Sequence, residues 1–386
     1  MMSPGAPGRQ KPDSRRPHRQ TNEEPRVPAP VAADPTSPTE VVCLGESMVT
    51  FLPSHPGRLA DVPAFTRTIG GAESNVACAL AAAGHPVKWI SRVGADGFGD
   101  HLVEAIGAYG VDTSAVRRDA DGRPTGIYFR TATDRSTTAH EVAYYRAGSA
   151  ASAMSPDTMD RADLFSGRVL HLSGITAALS DDCLALMREL AEPRPGRPLL
   201  SFDVNHRPAL WRDDSGPDVL LALARGADLV FVGDDEAAQL WDLHSPRAIR
   251  AALPEPAVLV VKAGADGATA FVREDGTDTV TSVPALAVDV VAPVGAGDAF
   301  AAGFLSATLR GLPTGARLRH GHLMAAAVLT DAGDVCVPPA RAHADRLAAL
   351  DDAAWGALRL GPGWTSEGTT SEATDSATSA EAVATS

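Results

Sequence analysis

The stretch DVVAPVGAGDAFAAGFL, residues 289–305, carries more structural information than any other part of this chain. Its β-branched residues predict a strand, a Gly295-Ala296-Gly297 turn follows, and an alanine-rich helix begins at Asp298. A turn of small residues lets backbone N–H groups approach an anion closely, and the helix behind it directs its positive end to the same point. The stretch therefore predicts an anion-binding turn with a carboxylate beside it.

Such a turn suits phosphoryl transfer, because N–H groups can hold developing phosphate charge while the carboxylate accepts a hydroxyl proton. An ordinary strand, turn and helix with an early acid has the same short pattern, so this alternative stays open on the segment alone. A dinucleotide-binding dehydrogenase is not indicated, since no Gly-x-Gly-x-x-Gly follows the first apolar strand and the glycine-rich turn comes late.

Composition bounds the domain organisation and the partners. The chain has 386 residues and a formal net charge of −14, which argues against general nucleic-acid binding. Residues 1–38 are rich in Pro, Arg, Ser and Asp, and residues 361–386 are mostly Ser, Thr, Glu and Ala, so we predict a disordered leader and a disordered tail. Residues 39–360 suffice for one large α/β domain.

The cysteines and the N-terminus indicate a compartment. Four cysteines, Cys43, Cys78, Cys183 and Cys336, are scattered without a Cys-x-x-Cys pair, which favours reduced thiols over a disulfide framework or a zinc site. The N-terminus lacks the apolar core of a secretory signal, and no apolar stretch is long enough to span a bilayer. We expect a cytoplasmic protein with no membrane partner.

The pattern along the chain predicts a doubly wound, mostly parallel sheet. Short apolar runs at 41–44, 87–93, 169–172, 199–204, 229–232 and 258–262 alternate with helical stretches, as in sheets covered on both faces. Residues 121–147 break this rhythm with two alternating, aromatic segments around a polar turn at 134–137, which predicts a β-hairpin. With parts of 47–68 the hairpin would form a small β-sheet lid over the site.

Two segments carry candidate sugar-binding groups. An arginine beside two tyrosines, as in Tyr144-Tyr145-Arg146, can hold a carboxylate while the rings line a sugar, or can be an exposed strand end. Asp203 and Asn205 lie two apart and share one side of an extended strand end, where polar groups line the usual ligand crevice. A capping network in the following loop is the alternative for this second segment.

Two further segments carry candidate nucleotide and metal groups. Asp234-Asp235-Glu236 follows an apolar strand, and these acids either position hydrated Mg²⁺ or form the acidic first turn of a helix. Residues 260–267, VVKAGADG, are a strand with a glycine turn that either approaches nucleotide phosphates or closes a hairpin.

Together these segments resemble the ribokinase-like (pfkB) family of sugar kinases over roughly residues 40–350. The resemblance rests on three ordered motifs, GGAESNVA at 70–77, RVGADGFG at 92–99 and GAGDAF at 295–300. Finer features are similar to the 2-keto-3-deoxygluconate kinase branch, namely GIYF at 126–129, YYRAGSA at 144–150, HLSGI at 171–175 and DVNHRPALW at 203–211.

The resemblance implies a role for each matching position. Asp298 would be the general base, and the N–H groups of Ala296, Gly297 and Asp298, after Gly295, would form the anion hole. The sugar acid would contact Gly71, Asn75, Tyr128, Tyr145, Arg146 and Arg207. ATP would lie along Lys262, Gly264, Gly267 and Gly297, and Glu236 would lie near Mg²⁺.

The sequence departs from the family at two positions. Where relatives have an Asp three residues before the Gly-Ala-Gly-Asp turn, an acid that helps hold a monovalent cation, this chain has Ala292. The family's Asn-x-x-Glu on the metal side is here Gly233-Asp-Asp-Glu236. The first departure puts potassium activation in doubt, and the second leaves Asp234 or Asp235 to compensate or the Mg²⁺ contacts weaker.

The resemblance implies an ATP- and Mg²⁺-dependent kinase that phosphorylates the primary hydroxyl of a sugar acid, foremost 2-keto-3-deoxygluconate to its 6-phosphate. Two arginines on the sugar side favour an acidic substrate over the neutral sugars of fructokinase or ribokinase. The remaining alternative is a catalytically idle sugar-binding regulator on the same fold. A homo-oligomer formed through the β lid is a further expectation.

Overall fold

The computed structural model of the protein describes residues 38–55, 57–131, 142–211, 213–331, 333, 335 and 337–366. The strands are β1 Val41–Leu44, β2 Met48–Pro53, β3 Phe65–Gly70, β4 Val87–Ile90, β5 Arg92–Gly94, β6 Arg117–Asp119, β7 Ile127–Arg130, β8 Val142–Tyr145, β9 Val169–Ser173, β10 Leu199–Asp203, β11 Leu229–Gly233, β12 Val258–Lys262, β13 Ala268–Glu274, β14 Thr277–Val283, β15 Ala287–Val288 and β16 Arg359–Leu360. The α-helices are α1 Ala72–Ala82, α2 Gly97–Gly107, α3 Arg161–Leu164, α4 Gly174–Ala177, α5 Asp181–Ala191, α6 Gly216–Arg225, α7 Asp234–Trp241, α8 Pro246–Ala252, α9 Ala296–Leu309, α10 Thr314–Leu329, α11 Arg341–Ala348 and α12 Asp352–Ala357.

One eight-stranded sheet forms the centre of the molecule, in the order β14-β13-β12-β11-β10-β9-β1-β4. The pairs from β4 across to β12 are parallel, and β13 and β14 add an antiparallel edge. Successive β1 residues enter opposite cores, Val41 and Cys43 on one face and Val42 and Leu44 on the other. The predicted doubly wound α/β fold is thereby confirmed, because both faces of the sheet are covered by helices.

A separate four-stranded sheet has the order β3-β2-β7-β8. The sequence-predicted hairpin is its β7–β8 pair, which is antiparallel with Tyr128 opposite Tyr144 and Ile127 opposite Tyr145. The predicted turn at 134–137 lies outside the described residues. Because cross-strand partners share a face, Tyr128 and Tyr144 lie on one side of this sheet and Tyr145 on the other.

The predicted strand before the anion turn is wrong. Only Ala287–Val288 is paired, with β16, and Val290 and Val291 are 55% and 50% exposed. The Val291 N–H donates to the carbonyl of Leu329, at the end of α10, so the segment is held by a helix end instead of a sheet. β-branched residues fit strands only where a partner strand is available to them.

Two other boundaries differ from the prediction. The strand expected at 87–93 is divided into β4, in the main sheet, and β5, which pairs with β6 in a sheet of two strands. The tail expected to be disordered from 361 is ordered as far as 366, because Trp364 is 5% exposed and lies 6.1 Å from the ring of His343. The remaining residues of the predicted leader and tail, 1–37 and 367–386, fall outside the described residues.

Helices α9 and α10 make the closest helix contact in the described part of the chain. A Cβ on Gly303 would lie 2.3 Å from the carbonyl oxygen of His320, and one on Gly321 would lie 2.9 Å from the ring of Phe300. The two glycines therefore let the helix backbones approach each other directly. None of the described helices combines the length and apolarity that crossing a lipid bilayer requires.

We expect Gly303→Ala to lower the free energy of unfolding by about 1–3 kcal/mol, because the added methyl overpacks a backbone contact. Gly356→Ala is the matched control, since a Cβ there meets no atom within 4 Å. Alanine in place of a helical glycine stabilises by up to about 1 kcal/mol, so the control should unfold at the wild-type denaturant concentration or above. Equal midpoints for both variants in urea would contradict the packing argument.

Candidate active site

The anion turn begins at Gly295, whose φ of +81° lies in the left-handed region that favours glycine. The first helical hydrogen bond runs from the Ala299 N–H to the Gly295 carbonyl at 2.9 Å. The N–H groups of Ala296, Gly297 and Asp298 precede that bond, so they have no acceptor within the helix. Gly297 is exposed, and the nearest atom to a Cβ built there is Lys262 Nζ at 3.5 Å. An anion can therefore approach this turn from solvent.

Two asparagines hold the carboxylate of Asp298. Asn75 Nδ2 donates to one oxygen at 2.8 Å, and Asn205 Nδ2 lies 3.5 Å from the other. Asn205 has a left-handed backbone, with φ of +39°, at the turn that follows β10. Burial raises the pKa of Asp298 to about 7, with a further rise from Asp203 and an opposing effect of the Asn75 hydrogen bond. A carboxyl that titrates near neutral pH is suited to accept a proton.

Lys262 and Asp203 form an ion pair next to the turn. Lys262 Nζ donates to both carboxylate oxygens of Asp203, at 2.8 and 3.1 Å, and the Asp203 carboxylate is almost fully buried. Burial alone would lower the pKa of Lys262, but the carboxylates of Asp203, Glu236 and Asp298 raise it overall. The ammonium is therefore charged at neutral pH and lies between the turn and the neighbouring strand.

The first residue predicted to contact the sugar, Gly71, immediately precedes α1. A Cβ there would lie 2.4 Å from the carbonyl oxygen of Glu46, so only glycine allows the two backbones to approach. The carbonyl of Gly71 accepts the Asn75 N–H at 2.8 Å, which starts the helix. The sequence-predicted Gly71 and Asn75 thus lie together, and Asn75 connects them to Asp298.

The small sheet contributes a second wall with one change to the predicted residues. Tyr128 is buried, with its ring 5.3 Å from that of Tyr144, and the guanidinium of Arg146 lies 5.9 Å from the Tyr144 ring. Tyr145 is 64% exposed and packs on the opposite face, 6.0 Å from Phe129. The structure therefore groups Tyr144, and not the predicted Tyr145, with Tyr128 and Arg146.

The two candidate arginines have different surroundings. Arg146 is paired with the buried carboxylate of Glu46. Arg207 is exposed, donates to the carbonyl of His206 at 3.0 Å, and its charge opposes the raised pKa of Asp298. Arg207 is therefore near the predicted base, and the structure shows no acidic partner for it among the described residues.

Gly264 and Gly267, the two glycines predicted to lie along ATP, are glycines for different structural reasons. Gly264 has φ of +50° and nothing within 4 Å of an added Cβ, so its backbone faces open space. Gly267 has φ of +120°, and a Cβ there would lie 2.3 Å from the Val283 carbonyl oxygen. The Ala263 N–H donates to the Gly267 carbonyl at 2.8 Å and closes the turn. Gly264 is thus the residue of the pair that leaves room for a phosphate.

Glu236 caps a helix and ties down a loop. One oxygen accepts the Gly233 N–H and the other accepts the His206 N–H, each at 2.8 Å. Asp234 and Asp235 are exposed and accept the next backbone N–H groups. In the described residues no group of three or more His, Cys, Asp or Glu side chains is arranged to hold a metal ion. A carboxylate oxygen has two lone pairs, so Glu236 retains capacity for a hydrated cation.

Sequence reasoning assigned no role to Glu46, and it treated Tyr144, Asp203 and Asn205 as candidates to line the ligand site without identifying their partners. The spacing of Tyr144, two residues before Arg146 on a strand, was a usable signal because such residues share a face. Asp203 and Asn205 were singled out as polar residues at a strand end, but their partners Lys262 and Asp298 are distant in sequence. Nothing in the sequence pattern indicated Glu46.

Comparison with known proteins gives a consistent result. Residues 38–340 match the model of the pfkB family carbohydrate kinases. The chain is 36% identical over 276 residues to a 2-dehydro-3-deoxygluconokinase of Thermoproteus tenax, covering 70% of this chain and 82% of that protein. It is 34% identical over 313 residues to a 2-dehydro-3-deoxygluconokinase of Bacillus subtilis (strain 168), covering 78% and 93%.

A solved structure agrees with the sequence comparisons. The crystal structure of a PfkB protein from Polaromonas sp. JS666 superimposes with a TM-score of 0.70 at 35% identity. The match covers 80% of this chain and 99% of that one.

We expect Asp298→Asn to lower kcat by about 10²–10⁴-fold, because the amide keeps the shape of the side chain but accepts no proton. Wild-type kcat should rise with pH through about 7, where the carboxyl ionises. Titration calorimetry with ATP should show nearly unchanged binding by the variant. A variant with wild-type turnover would refute the assignment of the base.

The Asp298→Asn variant should also differ from wild type in thermal stability. The pKa of Asp298 is higher in the folded protein than the value of about 3.9 in unfolded chains, so the folded state binds the proton more tightly. Its contribution to stability is present below pH 4 and is lost as the pH rises towards 7. Because asparagine does not titrate, the Tm of the variant minus that of wild type should increase as the pH rises from 4 to 8. Calorimetry measures this difference.

Proposed function

Because the chain belongs to the pfkB family of carbohydrate kinases, we propose that it transfers the γ-phosphoryl group of ATP to the primary hydroxyl of 2-keto-3-deoxygluconate. The observation that supports this most strongly is the combination of the open anion turn with Asp298, a carboxyl whose pKa is raised to about 7. A turn that receives an anion beside a group that accepts a proton is the arrangement that phosphoryl transfer requires.

In the proposed reaction Asp298 takes the proton of the primary hydroxyl as that oxygen attacks the γ-phosphorus. Asn75 donates to one oxygen of the carboxylate at 2.8 Å, and the other oxygen, whose contact with Asn205 is longer at 3.5 Å, would accept the proton. The bond between the γ-phosphorus and the bridging oxygen breaks, and ADP leaves. Holding base and hydroxyl in one geometry converts an encounter into an intramolecular step.

The N–H groups at the start of α9 would stabilise the charge that develops on the phosphoryl oxygens. The ammonium of Lys262 is 3.5 Å from the position of a Cβ on Gly297, so it adds a charged donor beside the same turn. Its pairing with Asp203 keeps it in position before ATP arrives. Donors fixed in advance cost no reorganisation during the reaction.

The proposed substrate is acidic because of the two arginines. Arg207 is exposed near Asp298 and can donate two parallel hydrogen bonds to a carboxylate. Tyr128, Tyr144 and Arg146, which contact one another, would line the sugar from the small sheet. The names of both curated relatives described above, 2-dehydro-3-deoxygluconokinases, support the same substrate class.

Mg²⁺ is part of the proposal and would enter with ATP. It supplies neutralisation of the phosphate charge when bound, and Mg²⁺ in such sites is held by one or two carboxylates, water and substrate phosphates. Glu236 fits this role because its two hydrogen bonds leave lone pairs free, and the exposed Asp234 and Asp235 lie beside it.

A neutral-sugar kinase is the second candidate, because one of the two arginines is already paired with an internal carboxylate. A panel of 2-keto-3-deoxygluconate, 2-keto-3-deoxygalactonate, fructose and ribose with ATP, followed by ADP release, distinguishes the candidates. The highest kcat/KM should be for a keto acid. A higher value for fructose would replace the proposed substrate, and no ADP release with any sugar would favour an idle sugar-binding protein.

We expect Arg207→Ala to raise KM for the sugar acid by roughly 10–100-fold, because a hydrogen bond to a charged group contributes about 1.5–3 kcal/mol. Arg146→Ala should act in the same direction. Fructose should be affected much less, since it has no carboxylate. Arg188→Ala, on the exposed side of α5, is the control with one charge removed elsewhere. Equal losses for acid and neutral sugars would refute carboxylate recognition by these arginines.

We also expect the enzyme to be nearly indifferent to K⁺. Ala292 has no oxygen in its side chain, and hard cations require oxygen ligands. Its segment is instead held by the Val291 N–H, which donates to the Leu329 carbonyl at 2.7 Å. Initial rates in KCl and in choline chloride of equal ionic strength should agree. A several-fold rise specific to K⁺ would show that main-chain carbonyls form the cation site without this acid.

A further inference from the structure

Glu46 is a buried acid that none of the roles above uses. It follows the C-terminal end of β1, on the side of the main sheet where the predicted site lies. Its side chain is 1% exposed. One carboxylate oxygen accepts the Ser149 hydroxyl at 2.5 Å, and the other lies against Nη2 of Arg146. Burying a carboxylate costs free energy, and pairing it with Arg146 offsets that cost only in part. The buried position of this pair therefore calls for a functional explanation.

The surroundings are arranged to give Glu46 this position. A Cβ on Gly126 would lie 3.0 Å from Glu46 Oε1, and a Cβ on Gly71 would lie 2.4 Å from the Glu46 carbonyl oxygen. Neither glycine has the left-handed backbone that would itself require glycine. The turn after β8 returns the Ser149 N–H to the Arg146 carbonyl at 3.0 Å, which places the serine hydroxyl on the carboxylate. Gly71, Gly126 and the turn between Arg146 and Ser149 therefore together determine the position of Glu46.

Arg146 is left with a free donor on its guanidinium. Its side chain is 10% exposed, Nη2 is against Glu46, and Nε is buried with no hydrogen-bond partner among the described residues. A buried, unpartnered N–H is rare in folded proteins and calls for an explanation. The contact of Nη2 with the buried Glu46 restricts how the guanidinium can turn.

We propose that Glu46 is a positioning residue, which fixes the guanidinium of Arg146 so that its free donors meet the carboxylate of the sugar acid. This inference rests on the proposed function, because it concerns how that substrate is read. It assigns different parts to the two arginines. Arg146 provides direction, since its charge is already balanced by Glu46, and Arg207 provides the net charge that attracts the acid.

The experiment separates position from charge. Glu46→Asp keeps the charge and withdraws the carboxylate by one methylene, whereas Glu46→Gln keeps the length and removes the charge. Glutamine can still accept from Arg146 with its carbonyl oxygen and donate to the Ser149 hydroxyl. Gly126→Ala adds a Cβ 3.0 Å from Glu46 Oε1 and from Met48 Cγ and 3.4 Å from Arg146 Cβ, so it perturbs the position of the pair while both of its side chains are unchanged. Gly356→Ala serves as the glycine control, with no atom within 4 Å of its Cβ.

We expect Glu46→Asp and Gly126→Ala to raise KM for the sugar acid by about 10–100-fold, because a misplacement of roughly 1 Å has effects of this size. KM for ATP should stay within about twofold, and Glu46→Gln should change KM for the acid by less than about threefold. A Tm measurement confirms that each variant is folded. Should Glu46→Asp fail to fold, Gly126→Ala makes the same comparison with Glu46 intact.

Two results would overturn the proposal. A larger effect of Glu46→Gln than of Glu46→Asp and Gly126→Ala would show that charge matters instead of position. Equal rises in KM for ATP and for the acid would show a purely structural role. Failure of the proposed function has a different signature, because wild-type enzyme would then not turn over the sugar acid at all.

Discussion

The hydrogen bond from Asn75 to Asp298 connects the two helix N-termini on which the site is built. It spans 2.8 Å between residues 223 positions apart in the chain. Asn75 belongs to the first turn of α1, which follows the small sheet, and Asp298 to the first turn of α9, which follows the anion turn. The bond therefore sets the distance between the starts of α1 and α9. An ionised acceptor in partly buried surroundings makes such a bond strong.

The remaining polar groups reach the same place because parallel strands end at a common edge. Glu46 follows β1, Asp203 ends β10, Glu236 lies just after β11, and Lys262 ends β12. The long side chain of Lys262, at the end of β12, reaches across β11 to Asp203 at the end of β10. Ligand sites of doubly wound sheets form at this edge. The charged groups of the site thus lie together because the strands that carry them end at one edge of the sheet.

The sequence correctly predicted the elements whose formation depends on residues that are close together in the chain. The apolar runs of the central strands, the glycine-rich turn and the aromatic hairpin all carry their own pattern, and each is present. The errors concern positions where a distant partner decides. Val290 and Val291 look like strand residues, but no strand pairs with them, and α10 holds the segment instead. Tyr144, and not Tyr145, lies beside Tyr128 and Arg146, because cross-strand pairing determines the face of the sheet on which each ring lies. The partner of Glu46 lies 100 residues away and leaves no local pattern.

Glu236 links two parts of the molecule through a single carboxylate. One oxygen starts α7 and the other holds the N–H of His206, next to Arg207. A group that draws electron density from either oxygen weakens both hydrogen bonds at once. The start of α7 and the loop that carries Arg207 are therefore held by one shared side chain. A ligand that displaced Glu236 from one of them would also release the other, so the two would be thermodynamically coupled.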